Sequence, residues 1–264
     1  MRLRPVYLPR AGLYSGPMLA YVLLACAAFA SGVMNAIAGG GAFITFPALL
    51  FAGVAPVAAN ASSTVALFPG QATSAWAYRR DITGVAEVSP KVLMALSLAG
   101  GLLGALLLLW TPNEVFARLV PWLMLFATAV FALGNFGPSA RGRMRLGPRA
   151  ILVVQAAIAV YGGYFGGGIG FLMLAALTLF GLRDIHAMNG LKVLLASLMN
   201  GAAVVAFAAA GAVRWPETLV MMVGAIAGGY VGVIGAKRVP QRVIKLFVVV
   251  LGVVLTVYFF VRGV

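Results

Sequence analysis

Acid is what this sequence lacks most. Its 264 residues include five carboxylates (Asp81, Glu87, Glu114, Asp184 and Glu217) against 19 lysines and arginines. All five fall in or beside the breaks between apolar runs, so no relay of membrane-buried carboxylates can be drawn. There is one histidine, His186, at the edge of an apolar run, and one cysteine, Cys26. A single thiol excludes an intrachain disulfide and a thiolate metal cluster. H-E-x-x-H, G-x-S-x-G and the P-loop are all missing, so enzymatic chemistry has little to stand on, and neither cofactor nor metal is expected. Charge of either sign is scarce, at 9% of residues where a soluble domain carries about 25%.

What fills the chain is hydrocarbon. Hydrophobic residues make up 63%, and the mean hydropathy is +1.05. Such a chain cannot clothe itself in a water-soluble surface. In lipid the backbone must satisfy its own hydrogen bonds, which leaves helices or a closed barrel. The apolar runs are continuous rather than alternating, which points to helices of about 20 residues. The formal net charge of +14 gathers in short breaks such as Arg141-Gly142-Arg143-Met144-Arg145 and Lys237-Arg238. That is the positive-inside pattern of a membrane protein rather than a nucleic-acid surface. Arg2, Arg4 and Arg10 precede an apolar run that continues from Pro17 to Ala38 without a clear small-residue cleavage motif, so it reads as a retained first helix.

The expected organisation is an N-terminal tail (1–16), a first membrane repeat (17–136), a basic cytoplasmic linker (137–149) and a second repeat (150–264). Each repeat holds five apolar segments: about 17–38, 42–55, 57–78, 88–110 and 115–135, then 150–165, 169–181, 186–211, 216–236 and 243–261. The halves match in order. Gly39-Gly40-Gly41 pairs with Gly166-Gly167-Gly168, Ala58-x-Asn60 with Ala187-x-Asn189, Gly100-Gly101-x-x-Gly104 with Gly228-Gly229-x-x-Gly232, and Pro112 with Pro240. Five crossings separate equivalent loops, and an odd number inverts the second copy. The charges agree: the break at Trp110–Glu114 has no lysine or arginine, whereas Lys237, Arg238 and Arg242 crowd its counterpart. Arg79 and Arg80 likewise stand opposite a single Arg214. One feature disagrees. With the linker inside, ten crossings put the arginines of the N-terminus outside. The fold class expected is an all-α polytopic membrane protein of two inverted-topology repeats. The second segment of each repeat is too short for a core of about 30 Å. Eight spans plus two broken or re-entrant segments is therefore the alternative to ten.

Lys192 is the main site candidate. It lies about 9 Å along its helix from His186, at a depth where a charge costs roughly 2.5–3.5 kcal/mol. It is either an anchor for an anion or a lysine that snorkels to the interface. Asn189 and Asn60 are matched amides, readable as ligands or as caps and interhelical glue. Ser62, Ser63 and Thr64 occupy in the first half the slot Lys192 holds in the second. The turns Gly39, Gly40, Gly41 and Gly166, Gly167, Gly168 each open a short helix, whose free N–H groups attract anions; close packing is their other use. The glycines at 100 and 228 read as packing, and Asn35, Gln71 and Asn200 as glue.

These residues resemble the TauE/SafE family of membrane transporters. The resemblance rests on Ala38-Gly39-Gly40-Gly41-Ala42-Phe43-Ile44-Thr45-Phe46-Pro47, on Gly166–Gly170 followed by His186–Lys192, and on Val213-Arg214-Trp215-Pro216 leading to Gly228–Gly232. It covers nearly the whole chain after residue 17. It implies a multi-pass permease of the bacterial inner membrane, with members associated with export of sulfite, sulfoacetate or related organosulfur anions. The expected function is thus a secondary transporter exporting a small sulfur-containing anion by alternating access. An anion channel or facilitator, or a ten-helix transporter of a non-sulfur metabolite, stays open beside it. The expected partners are the small anion and the lipid bilayer, with a homodimer left open and no nucleic acid.

Overall fold

The computed structural model describes residues 17–37, 40–77, 85, 88–136, 146–182, 184–235 and 241–264. Among them the chain forms ten helices: α1 (Pro17–Ile37), α2 (Ala42–Phe51), α3 (Pro56–Ala77), α4 (Pro90–Trp110), α5 (Asn113–Phe136), α6 (Pro148–Tyr164), α7 (Ile169–Leu179), α8 (Ile185–Ala209), α9 (Trp215–Gly235) and α10 (Gln241–Arg262). They match the ten apolar segments one for one. The largest shift is at the end of α2, where the chain leaves the helix after Phe51. Proline sets several starts, being the first residue of α1, α3, α4 and α6. Its fixed φ suits the first turn, where its missing N–H would have no helical partner. The two short helices end alike: Val54 N–H donates to Leu49 O at 3.0 Å and Leu182 N–H to Leu177 O at 3.1 Å. This six-residue closure satisfies a carbonyl that the helix end leaves over.

The molecule is an all-α polytopic membrane protein. Met18–Asn35, Pro90–Trp110, Asn113–Leu133 and Ala187–Ala209 are each long and apolar enough to cross a bilayer by length and composition. Its flanks expose leucine, valine and aromatic side chains, such as Leu102 and Leu103 of α4 and Val223 and Tyr230 of α9. A soluble protein would bury that much apolar surface; a lipid-embedded one has no reason to.

Helix contacts follow a crossed pattern. In α1 and α9, Ala25 meets Gly224, Phe29 meets Gly228 and Gly32 meets Gly229, so these helices run parallel. In α4 and α6, Gly100 meets Ala159 and Gly104 meets Tyr164, again parallel. By contrast, Phe68 of α3 lies on Gly201 of α8 while Gln71 bonds Ser197 and Asn200, so α3 and α8 run antiparallel. So do α5 and α10, where Trp122 packs on Phe260 and Thr128 on Gly252. Glycine at these crossings lets backbones approach closely, which supplies van der Waals contact where lipid removes the hydrophobic drive.

The short helices stop inside this bundle. α2 has 10 residues and α7 has 11, about 15 and 16 Å of helix. In the first turn of α2, Thr45 shares a hydrogen bond with Ser63 of α3 at 2.7 Å. In the first turn of α7, Gly170 lies beside Lys192 of α8. Ser63 and Lys192 each lie about 10 Å from the start of their own helix. The glycine turns ahead of α2 and α7 are deeper still, and Gly41, Gly167 and Gly168 are buried.

Candidate functional site

The two glycine turns meet at the centre. Gly40 (φ +82°) and Gly168 (φ +74°) hold the left-handed backbone that only glycine adopts without strain. A side-chain carbon on Gly40 would lie 3.0 Å from the ring of Phe171, and one on Gly168 3.7 Å from the ring of Phe43. Phe43 and Phe171 are separated by the same number of residues as Gly40 and Gly168. Each turn is thus capped by the phenylalanine of the other half, the reciprocal contact expected of a two-fold relation. Sequence reasoning missed both rings; their matching offset was the available signal.

Each turn is fixed from its own side. Gly41 N–H donates to Asn35 Oδ1 at 2.7 Å, and the fully buried Ser31 hydroxyl lies against Gly41. Gly167 O accepts from the Tyr161 hydroxyl at 2.9 Å. Beyond the turns, the starts of α2 and α7 carry the partial positive charge of a helix N-terminus, while the Phe43, Ile44, Ile169 and Phe171 amides already donate to the carbonyls of Gly40, Gly41, Gly166 and Gly168. Gly39 lies outside the described residues.

Lys192 stands beside the second turn. Its Cδ is 3.9 Å from where a side chain on Gly170 would begin, and its Nζ donates to Asn189 Oδ1 at 3.0 Å. Asn189 thus acts as the lysine's own partner, one turn back on the same helix. Asn60 is buried and reaches across halves: its Nδ2 donates to Tyr164 O at 3.1 Å, just ahead of the second glycine turn. Thr64 is half-buried and donates to Asn60 O at 2.9 Å.

The other two hydroxyls serve the fold. Ser63 ties α3 to α2 through Thr45. Ser62, fully buried, accepts the Arg214 N–H at 2.9 Å and so ties the chain entering α9 to α3. We expect Ser62→Ala to cost about 1 kcal/mol, seen as a lower unfolding midpoint, because the part-buried Arg214 N–H loses its acceptor. Any stabilisation by a bound anion should be unchanged in this variant.

Gln71 and Asn200 tie α3 to α8 by bonding each other, the glue their sequence context suggests, with Asn200 Oδ1 left over. Asn200 Nδ2 donates to Gln71 Oε1 at 2.7 Å, and Ser197 donates to Gln71 O at 3.1 Å. The interval from Gln71 to Asn200 equals that from Asn60 to Asn189, so equivalent positions of the two halves clasp one another.

Amides, hydroxyls and one ammonium group around two interrupted helices, inside an apolar bundle, define a polytopic protein that moves a polar solute: a membrane transporter. Comparison with known proteins agrees. The chain belongs to the sulfite exporter TauE/SafE family, which it matches over residues 24–259. It is 35% identical over 246 residues to the probable membrane transporter protein ORF9 of Sinorhizobium sp, covering 90% of this chain and 93% of that one. It is 31% identical over 245 residues to the probable membrane transporter protein YfcA of Escherichia coli K12, covering 91% and 89%. A probable membrane transporter protein of Haemophilus influenzae is 29% identical over 238 residues, covering 89% and 92%. No solved structure matches.

Proposed function

We propose that this chain is a secondary transporter of a bacterial inner membrane, exporting a small sulfur-containing anion such as sulfite or an organosulfonate by alternating access. The observation that carries the reading is the pair of helix starts brought together at Gly40–Gly41 and Gly166–Gly168, with Lys192 beside the second. N–H groups and an ammonium recognise oxyanions through charge-assisted hydrogen bonds. The sulfur in the substrate comes from the family description alone.

The helix contacts support two inverted repeats, 17–136 and 150–264, joined by the basic linker 137–149. The pairing of α1 with α9 repeats as α6 with α4, both parallel. The pairs of equivalent helices, α3 with α8 and α5 with α10, are antiparallel. A two-fold axis across the helices, lying in the membrane plane, generates both relations. In such folds one repeat rocks against the other around a central site. An inside-negative potential favours exit of an anion by about 2.3 kcal/mol per charge per 100 mV, so export needs no buried carboxylate.

A titration tests this reading. Purified protein is unfolded thermally with sulfite, sulfate, thiosulfate, sulfoacetate or chloride present. A ligand that binds the native state raises stability by RT ln(1 + [L]/Kd). We expect one sulfur oxyanion to raise the midpoint in a saturable way and chloride not to. Equal response to all, or to none, removes the substrate assignment.

A further inference from the structure

The space beside Gly166 is walled by oxygen. A side-chain carbon built there would lie 3.3 Å from Gly162 O, 3.8 Å from Asn200 Oδ1 and 3.9 Å from Thr64 Oγ1, its three nearest neighbours. Three oxygens around one point, deep in an apolar bundle, need a reason, because a buried polar atom left without a partner is costly.

Each of the three offers lone pairs. Gly162 O belongs to the last turn of α6, and the N–H that would continue the helix onto it, that of Gly166, points instead to Tyr161 O at 3.4 Å. Asn200 Nδ2 donates to Gln71 Oε1, while its Oδ1 is buried and accepts no hydrogen bond. Thr64 gives its hydrogen to Asn60 O and so turns lone pairs to the space. The C-terminal end of α6 adds partial negative charge from its leftover carbonyls.

We propose that the space these three oxygens border, outward from Gly166, binds a small monovalent cation of sodium's size, with Gly162 O, Thr64 Oγ1 and Asn200 Oδ1 as its ligands. Hard cations take oxygen ligands, and divalent ones draw on carboxylates, which this set lacks. Interrupted helices in membrane transporters offer such sites where carbonyls leave the helical ladder. The ion sits two residues ahead of Gly168 and braces the turn that opens α7. The site shares the Gly166 turn and Thr64 with the candidate anion site but uses neither Lys192 nor the N-terminal amides of α2 and α7, so the two can be tested separately.

The test is an unfolding series in detergent with no sulfur anion present. Choline chloride replaces sodium chloride at constant ionic strength. We expect the midpoint to rise with sodium and to saturate, and choline to have no such effect. Thr64→Val and Asn200→Leu each remove one oxygen at nearly constant volume and should weaken the apparent sodium affinity about tenfold or more. Ser74→Ala, at an exposed hydroxyl bonded within α3, should leave the response intact. If Asn200→Leu is too unstable to measure, the near-isosteric Thr64→Val decides alone. A wild-type midpoint indifferent to sodium overturns the proposal. The space then holds water, or the Asn200 and Gln71 amides are turned over so that Nδ2 serves Thr64 and Gly162. A response undiminished in both variants overturns it as well. Either result leaves the anion transport reading untouched, because no transported anion is in the assay.

Discussion

Lys192→Met should abolish anion-dependent stabilisation and transport while leaving the protein folded. The lysine is half-buried about 10 Å along α8, and its one described hydrogen bond is to Asn189 on the same helix. A charge at that depth weighs against insertion by roughly 2.5–3.5 kcal/mol, and the bond to Asn189 returns only part of that. Methionine keeps the unbranched stem that packs on Gly170 and removes the ammonium. Structural loss should therefore be small, and the variant should melt at or above the wild-type temperature. Binding is the opposite case. Removing one partner of a desolvated charge pair costs about 2–5 kcal/mol, so efflux of the preferred anion from proteoliposomes should fall at least about thirtyfold. Lys192→Arg, which keeps the charge in a larger planar group, should retain part of the activity. Unchanged efflux in Lys192→Met would return the lysine to the snorkelling role its sequence position also allows.

The sequence shows the helices more readily than the contacts between them. Continuous apolar runs, opened by residues such as Pro56, Pro90 and Pro148, delimit the helices because lipid forbids most other backbone states. The glycine turns stand out for the same reason: three consecutive glycines have no place in the interior of a helix unless it breaks. The partnership of Lys192 and Asn189 is also local, since residues three apart share a helix face. Ser62 and Ser63 show where this reasoning stops. They are adjacent and chemically identical, yet one receives Arg214 from the approach to α9 and the other Thr45 from α2. At 3.6 residues per turn, neighbours point about 100° apart, and only the placement of surrounding helices says what each meets. The clasp of Gln71 with Asn200 and the exchange of Phe43 and Phe171 are contacts between halves. They exist because α3 and α8 cross antiparallel and the turns meet, facts that no single segment contains.

Gly228 and Gly229 should respond in opposite ways to the same substitution. Both are in the middle of α9, and the sequence assigns them alike to packing. Both backbones lie at the crossing, but only one turns its side-chain position into it. A side-chain carbon on Gly228 would fall on the Phe29 backbone of α1, and a main chain cannot swing aside as a flexible side chain can. Around Gly229 the same carbon meets nothing within 4 Å. We expect Gly228→Ala to force α1 and α9 apart, at a cost of about 1–3 kcal/mol or more, and Gly228→Leu to prevent accumulation of folded protein. Gly229→Ala should be neutral or gain stability, because alanine is favoured over glycine within a helix by up to about 1 kcal/mol. Unfolding midpoints of the two alanine variants, measured in one detergent, make the comparison. Similar values would mean that α1 and α9 do not pack through Phe29 and Gly228. The parallel pairing on which the two-fold arrangement rests would then fail with it. A large gap would support that crossing, and Gly100→Ala, at the equivalent crossing of α4 on Ala159, should then show the same loss.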